Sequence, residues 1–431
     1  MKKMSTVEVQ IAERARKYPG TVLTNLHHFI DTAMLQESFD ILNKKGASGV
    51  DEETWYEYNE RRDERIPRLL EAFKSGRYHA SYIRRIFISK GDGKQRPLGL
   101  PTVESKLLQK AVSKVLTPIY EQVFHDTSYG FRPGRSQHQA LDRLFKEVSF
   151  EGKRYIIDAD IQNYFGSIQH QHLREFLRRR IRDKVTERVI GKWLKAGILY
   201  EGNVDYPKEG TSQGDSISPI LSNIYLHYVL DEWFAEQIQP LLQGSSTMIR
   251  FADDFLLMFS NKEDALRVLK VLPKRFGKFG LALHSEKTKL IDVDDRKRFG
   301  PKAFDFLGFT HYIGKSRKGR RVLLRKTSSK KLRLAIRRIG EWIKFSRHRP
   351  IKELIALINQ KLTGHYAYYG ITFNGKMLEV FFEAVKRLLY KWLNRRGGKS
   401  AWNWNKFSRL ISEWLPLAKP RVYHSYLLAK P

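Results

Sequence analysis

The residues best suited to chemistry in this chain are carboxylates in pairs. Asp253 and Asp254 stand between two short apolar runs, Met248-Ile249-Arg250-Phe251 and Phe255-Leu256-Leu257-Met258-Phe259. That pattern predicts a β-hairpin with adjacent carboxylates at its tip. Adjacent carboxylates repel, and apolar strands behind them raise the cost of leaving both ionised. A divalent cation removes that cost. Hard oxygen donors suit Mg2+, which binds through one or two carboxylates together with substrate phosphates. Taken alone, the dipeptide also fits a solvated turn, where Asp is favoured. A second acidic segment shifts the balance. In Ile156-Ile157-Asp158-Ala159-Asp160-Ile161, strand alternation puts Asp158 and Asp160 on one face. One of these carboxylates, set beside the hairpin, would complete a three-carboxylate, two-metal site for nucleotidyl transfer. Spacing leaves Asp158 and Asp160 equally eligible.

A basic hairpin is the third element with chemical potential. Residues 82–89 read as a strand, Gly91-Asp92-Gly93-Lys94 as its turn, and Leu98-Gly99-Leu100-Pro101 as the end of the return arm. Cations on such an arm suit an incoming triphosphate. Positioning these segments requires helices, and the 3.6-residue period supplies them. Helical patterns cover 7–45 in part, 60–74, 104–122, 170–180, 186–196, 217–235 and 262–279. Residues 289–313 read as strand and loop. Helices return at 328–345, 351–368 and 377–394, and 396–431 reads as irregular. Strands mixed with helices, then helices alone, predict an α+β body with an all-α appendage.

Composition limits the rest. There is no cysteine among 431 residues, which excludes disulfides, Cys-ligated zinc and thiol nucleophiles. No run of eighteen apolar residues and no signal-type N-terminus is present, so a cytoplasmic chain with no membrane partner is expected. The formal charge is +33, a footprint of polyanion binding. It is uneven: residues 311–431 carry 29 Lys and Arg against 5 Glu, a net +24, and the first 310 residues only +9.

The order of these motifs resembles bacterial group II intron-encoded reverse transcriptases, or maturases, from about Asn43 to Leu428. Phe251-Ala252-Asp253-Asp254 is similar to the family's aromatic-Ala-Asp-Asp box, and Asp160-Ile161-Gln162-Asn163-Tyr164-Phe165 to the box supplying the first catalytic aspartate. Gly210-Thr211-Ser212-Gln213-Gly214-Asp215 resembles the Pro-Gln-Gly box. Ser128 to Pro133, Glu286-Lys287-Thr288 and Phe306-Leu307-Gly308-Phe309 resemble further boxes of the same series, and Gly46 to Asp51 the N-terminal extension. The resemblance selects Asp160 over Asp158. It implies that Asp160, Asp253 and Asp254 hold two Mg2+ ions, with Mn2+ as a substitute. It places Lys90, Arg96, Ile161, Phe165 and Gln213 around the dNTP, with Phe165 excluding a ribose 2′-hydroxyl, and Lys287 and Gly308 on nucleic acid. Two departures stand out: Ser212 where the family usually has Pro, and Asp215 where it usually has Gly or another small residue.

The implied fold is a right-hand polymerase: an N-terminal extension and start of the fingers at 1–80, fingers and palm at 81–315, a helical thumb or maturase domain at 325–395, and a basic aromatic tail at 396–431 with no endonuclease domain. Along the first appendage helix, Lys330, Lys331, Arg333, Arg337 and Arg338 are suited to a phosphate backbone. The implied activity is RNA-directed DNA polymerisation from a DNA or RNA primer on an RNA template, with binding of a structured intron RNA and splicing assistance. Competing readings are a domesticated enzyme of defence or DNA repair, and a non-catalytic splicing factor on a polymerase scaffold.

Overall fold

Alternating apolar and polar positions around the two acidic segments do produce strands. The computed structural model describes residues 5–89, 95–294, 303–316, 318–396 and 402–426. The chain divides into two compact units, one built from Met1–Ala140 with Tyr155–Leu290, the other from Leu141–Arg154 with Ile291–Pro431. This division falls at 290 and not near 315–325, because the strands after 302 group with the helices that follow them.

In the first unit, β1 (Ile83–Ser89) pairs antiparallel with β2 (Gln95–Leu100), and Ile88 lies opposite Arg96. The expected turn Gly91–Lys94 lies outside the described residues, as does Lys90. A second sheet is centred on β3 (Tyr155–Ala159). β1 continues on its other edge into the short hairpin of β4 (Ile198–Tyr200) and β5 (Asn203–Asp205). β3 pairs with β7 (Asp254–Phe259), which pairs with β6 (Ser246–Phe251), and the chain leaves the unit along edge strand β8 (Lys289–Asp292).

The helix Val103–Tyr120 runs through the core. Leu107, Leu108, Ala111, Val115 and Leu116 form one apolar face, and Gln109, Val112, Lys114 and Ile119 are buried as well. A helix enclosed on all sides belongs to the interior of a large core. Thr102 caps it by accepting from the Ser105 N–H at 3.2 Å. The pattern at 217–235 resolves into an α-helix, Ser218–Leu226, followed by wider π-helical turns at His227–Asp231 and Trp233–Ile238.

In the second unit, β9 (Ala303–Phe306), β10 (Phe309–Lys315) and β11 (Arg321–Thr327) form an antiparallel sheet. Helices follow at Ser329–Ser346, Ile351–Tyr369 and Gly375–Leu393, each within two residues of its expected bounds. Their apolar faces meet in a core containing Ile343, Leu354, Ile358, Leu362, Phe381 and Leu389. The expectation of an irregular tail is corrected for part of its length. Trp404–Arg409 is α-helical and Leu410–Trp414 continues it, because Phe407, Leu410, Ile411 and Leu417 are apolar residues that join this core. Among the described residues no helix is long and apolar enough to cross a membrane.

Candidate active site

The register of the central sheet fixes where its acids stand. Ala159 pairs with Phe255, and Phe251 pairs with Asp254 across the hairpin. Asp160 and Asp254 therefore lie at the same end of neighbouring strands, one step past the β3–β7 ladder. Asp158 is deeper in the sheet, opposite Leu256.

Ala252 and Asp253 form the two-residue turn, with Ala252 at φ +59°. A positive φ at the first turn position suits the right-handed twist of a hairpin but disfavours a residue with a Cβ. A buried guanidinium holds it. Arg250 donates to the Ala252 carbonyl at 3.0 Å and to Asn223 Oδ1 at 2.9 Å, and it makes a two-pronged ion pair with Asp231 at 2.7 and 2.5 Å. Both charged partners are fully buried. Asn223 in turn donates to the Gly130 carbonyl at 2.8 Å, and Gly130 packs against the backbone of the turn, where a Cβ would come within 2.2 Å of the Ala252 nitrogen.

Asp160 lies close enough to act on Asp253. Burial pushes the Asp253 carboxyl above its ordinary value, and the negative charge of Asp160 adds to that push. The Asp253 N–H, Arg96 and Arg250 oppose it. Lys287, expected on nucleic acid, is ion-paired with Asp160. Its segment is seated by the His284 N–H on the Asp160 carbonyl and the Gln162 N–H on the Ala282 carbonyl, both at 2.8 Å. Ile161 bridges to Leu283 in the same seam.

The donors, three carboxylates at adjacent strand ends with one of them destabilised by burial and by a neighbouring acid, have the chemistry for a hard divalent cation. Among the described residues, however, no three His, Asp or Glu side chains stand close enough to enclose an ion as they lie.

Phe165 and Gln213 reach this region through two packed loops. Phe165 is buried beside Tyr164, whose hydroxyl donates to the Ser222 carbonyl at 2.6 Å. The Phe165 carbonyl accepts from the Thr211 N–H at 2.7 Å. Gly210, at φ +87°, makes that approach: a Cβ there would come within 3.0 Å of the Gly166 Cα. Gln213 is gripped twice by β2, through its carbonyl by the Gly99 N–H at 2.7 Å and through Oε1 by Arg96 Nε at 2.6 Å. Arg96 and Gln213, far apart in sequence, thus form one polar pair beside Asp253.

Two contributors escaped the sequence reading. Arg250 and Asp231 form the buried clamp just described. Their only signal is a charge inside each of two otherwise apolar segments. Asp215, noted as an unusual acid, is buried under the Gln213 loop, and burial pushes its carboxyl up to about 7, opposed by Gln109, Ser212 and Lys106. Gln109 also accepts from the Ser216 N–H at 2.9 Å, tying the loop to the central helix.

In the second unit, Leu307 and Gly308 form the β9–β10 turn at φ +48° and +83°. Tyr368 donates to the Leu307 carbonyl at 3.0 Å, and the Tyr369 hydroxyl lies against Gly308. Lys330, Lys331, Arg333, Arg337 and Arg338 are all exposed on their helix, whose opposite side buries Ile339 and Ile343.

The reverse transcriptase (RNA-dependent DNA polymerase) family matches residues 88–311, and the group II intron maturase-specific domain matches residues 332–410. The chain is 33% identical over 291 residues to the group II intron-encoded protein LtrA of Lactococcus lactis subsp. cremoris, an alignment covering 64% of this chain and 48% of that protein. It is 32% identical over 283 residues to protein YkfC of Escherichia coli, covering 58% and 72%. A 91 kDa protein in the cob intron of Schizosaccharomyces pombe is 42% identical over 168 residues, covering 39% of this chain and 20% of its own. The chain thus spans about half the length of LtrA.

Proposed function

The chain belongs to the reverse transcriptase family and carries a group II intron maturase domain, and from that premise we propose that it extends a DNA or RNA primer with dNTPs on an RNA template. The observation that carries the reading is the meeting of Asp160 and Asp253 at one end of the β3–β7–β6 sheet, with Arg96 and Gln213 beside them.

In this reading β1–β2 belongs to the fingers, the β3–β7–β6 sheet to the palm, and the three helices of 329–393 to the thumb. Asp160, Asp253 and Asp254 would hold Mg2+, which when bound lowers the pKa of the primer 3′-hydroxyl and neutralises the leaving pyrophosphate. Arg96, with Lys90 ahead of it in sequence, binds the triphosphate. The Arg96–Gln213 pair fixes where that charge can rest, since an Arg fork held at one nitrogen presents the others in a set direction. Phe165 and Ile161, both buried and backed by hydrogen-bonded loops, form the rigid wall under the sugar. Lys287 neutralises Asp160 until a cation takes over that role.

The exposed row from Lys330 to Arg338 binds phosphates of template and intron RNA, and Gly308 gives the primer strand close access to backbone. LtrA's name places it with a group II intron, which supports a structured intron RNA as partner and splicing assistance as a second role.

The test is Mg2+-dependent primer extension on an RNA template, with dNTPs and separately with rNTPs. Wild type should extend with dNTPs, and the Asp253→Ala/Asp254→Ala double variant should not. A folded, RNA-binding wild type without extension would overturn the reading.

A further inference from the structure

The first unit contains a second basic feature that none of the residues above lines. The helices His170–Arg178 and Lys184–Leu194 and the segments around His79–Tyr82 and Ala196–Tyr206 enclose a cavity of about 650 Å3. Six Lys or Arg line it against one acid, Glu187. Its floor is apolar, with Leu177, Ile190 and Ala196 buried, and two exposed tyrosines, Tyr82 and Tyr206, stand together at its edge with hydroxyls 3.2 Å apart.

Two of the six cations have structural work. Arg178 donates to Glu187 at 2.8 Å, and Lys192 binds the carbonyls of Gly76 and Tyr78 just past the end of the helix Arg62–Ser75. The other four, Arg174, Lys184, Arg188 and Lys195, are exposed and have no acidic partner among the described residues. Lys184, Arg188 and Lys192 follow one another at steps of four along one stripe of the helix Lys184–Leu194, and Lys195 caps its C-terminal end three residues on. Like charges at that spacing oppose helix formation. A bound polyanion removes the opposition, and its phosphates find a ready set of donors.

Cations alone would suit any polyanion. The apolar floor and the tyrosine pair narrow the choice, because unpaired bases stack on aromatic faces and bury their edges in such a cavity, whereas the bases of a duplex are already stacked. The cavity lies within the size range of pockets that enclose a small organic ligand. We propose that this cavity binds an unpaired nucleotide of an RNA loop, with its base against Tyr82 and Tyr206 and its flanking phosphates on Arg174, Lys184, Arg188 and Lys195. The assignment deepens the structured-RNA reading above and rests on it, while being independent of the polymerase reaction. A free nucleotide shares the same chemistry, and the experiment separates the two.

The full chain is titrated with an RNA hairpin bearing a six-nucleotide loop and with a loop-free duplex of the same stem, by fluorescence anisotropy over a range of salt. Lys184→Glu with Lys195→Glu should weaken the looped hairpin by tenfold or more and reduce the magnitude of the salt slope by about two. Tyr82→Ala with Tyr206→Ala should cost about tenfold for the looped RNA, with the salt slope and the duplex affinity unchanged. Thermal melting verifies that both variants fold. Primer extension on a short homopolymer template reports the polymerase separately and should match wild type, so failure of that reading is not confused with failure of this one. Unchanged affinity for the looped RNA in either folded variant would overturn the proposal. So would an equal loss for the duplex in the tyrosine variant, or displacement of the looped RNA by ATP at equal concentration, which would assign the cavity to a free nucleotide.

Discussion

Two of the described hairpins that turn in two residues, one from each unit, differ in what they display, and both open on a residue with a Cβ in the left-handed region, as the β4–β5 hairpin does at Glu201. At 252–253 it is Ala252, and at 307–308 it is Leu307. In each case a side-chain donor holds the carbonyl of that residue, Arg250 on Ala252 and Tyr368 on Leu307, at 3.0 Å. The difference lies in what backs the donor. Arg250 is a buried charge with its own buried counter-ion, Asp231, whereas Tyr368 is a neutral phenol at the edge of a helix. A turn that displays two carboxylates is held by a charged clamp. The other, which has Gly at its second position to relieve the backbone, is held by neutral hydrogen bonds alone, from the Tyr368 hydroxyl to Leu307 and from the Ser328 N–H to the Gly308 carbonyl.

The sharpest way to break the parallel is to remove the charge on display. Asp253→Asn is expected to reduce primer extension about a thousandfold or more with little change in melting temperature, since it removes charge stabilisation without removing volume. Next in size is the clamp. Arg250→Met leaves Asp231 buried without a partner and should destabilise the fold by about 3–5 kcal/mol in urea denaturation, whereas Arg250→Met with Asp231→Leu should recover much of that loss.

A third test concerns the buried acid under Gln213. With its folded value raised to about 7 and an unfolded one near 4, Asp215 retains a proton in the folded state that the unfolded state has released. Stability therefore falls as pH rises from about 4 to about 7 and levels off above. Asp215→Asn should remove that slope, on the order of a few kcal/mol, in melts at pH 5 and pH 8. Tyr368→Phe should cost about 1 kcal/mol, a neutral hydrogen bond. Smallest is Ala252→Gly, where relief of positive φ and the added freedom of the unfolded chain offset each other to within about 0.5 kcal/mol by the same denaturation assay.

The comparison also shows which features were legible in the sequence. Strand alternation and turn chemistry are local, so the hairpin at Asp253 and the strand at Asp160 could be read from a few residues each. The three helices after 328 were equally plain, because their apolar positions repeat at helical spacing. What stayed hidden depends on partners remote in sequence. Arg250 looks like an interruption of an apolar run until Asp231, nineteen residues earlier, is seen beside it. β11 was missed for the same reason: Arg325 is fully buried in it, donating to the Tyr426 hydroxyl 101 residues away at 2.6 Å. Asp215 was recognised as unusual, but its burial follows from the packing of the central helix through Gln109, which no spacing reveals.

The clamp at Arg250 has a further consequence for how the molecule opens. The Arg250 N–H donates to the Thr127 carbonyl at 2.9 Å and the Tyr129 N–H to the Arg250 carbonyl at 2.8 Å, so one residue secures both the turn and a crossing segment within the core. No small fluctuation can release the aspartate turn without withdrawing that guanidinium from the interior. In hydrogen exchange, the amides of Arg250 and Tyr129 should therefore keep pace with the slowest protons of the unit, and the acids would be carried by structure among the last to come apart.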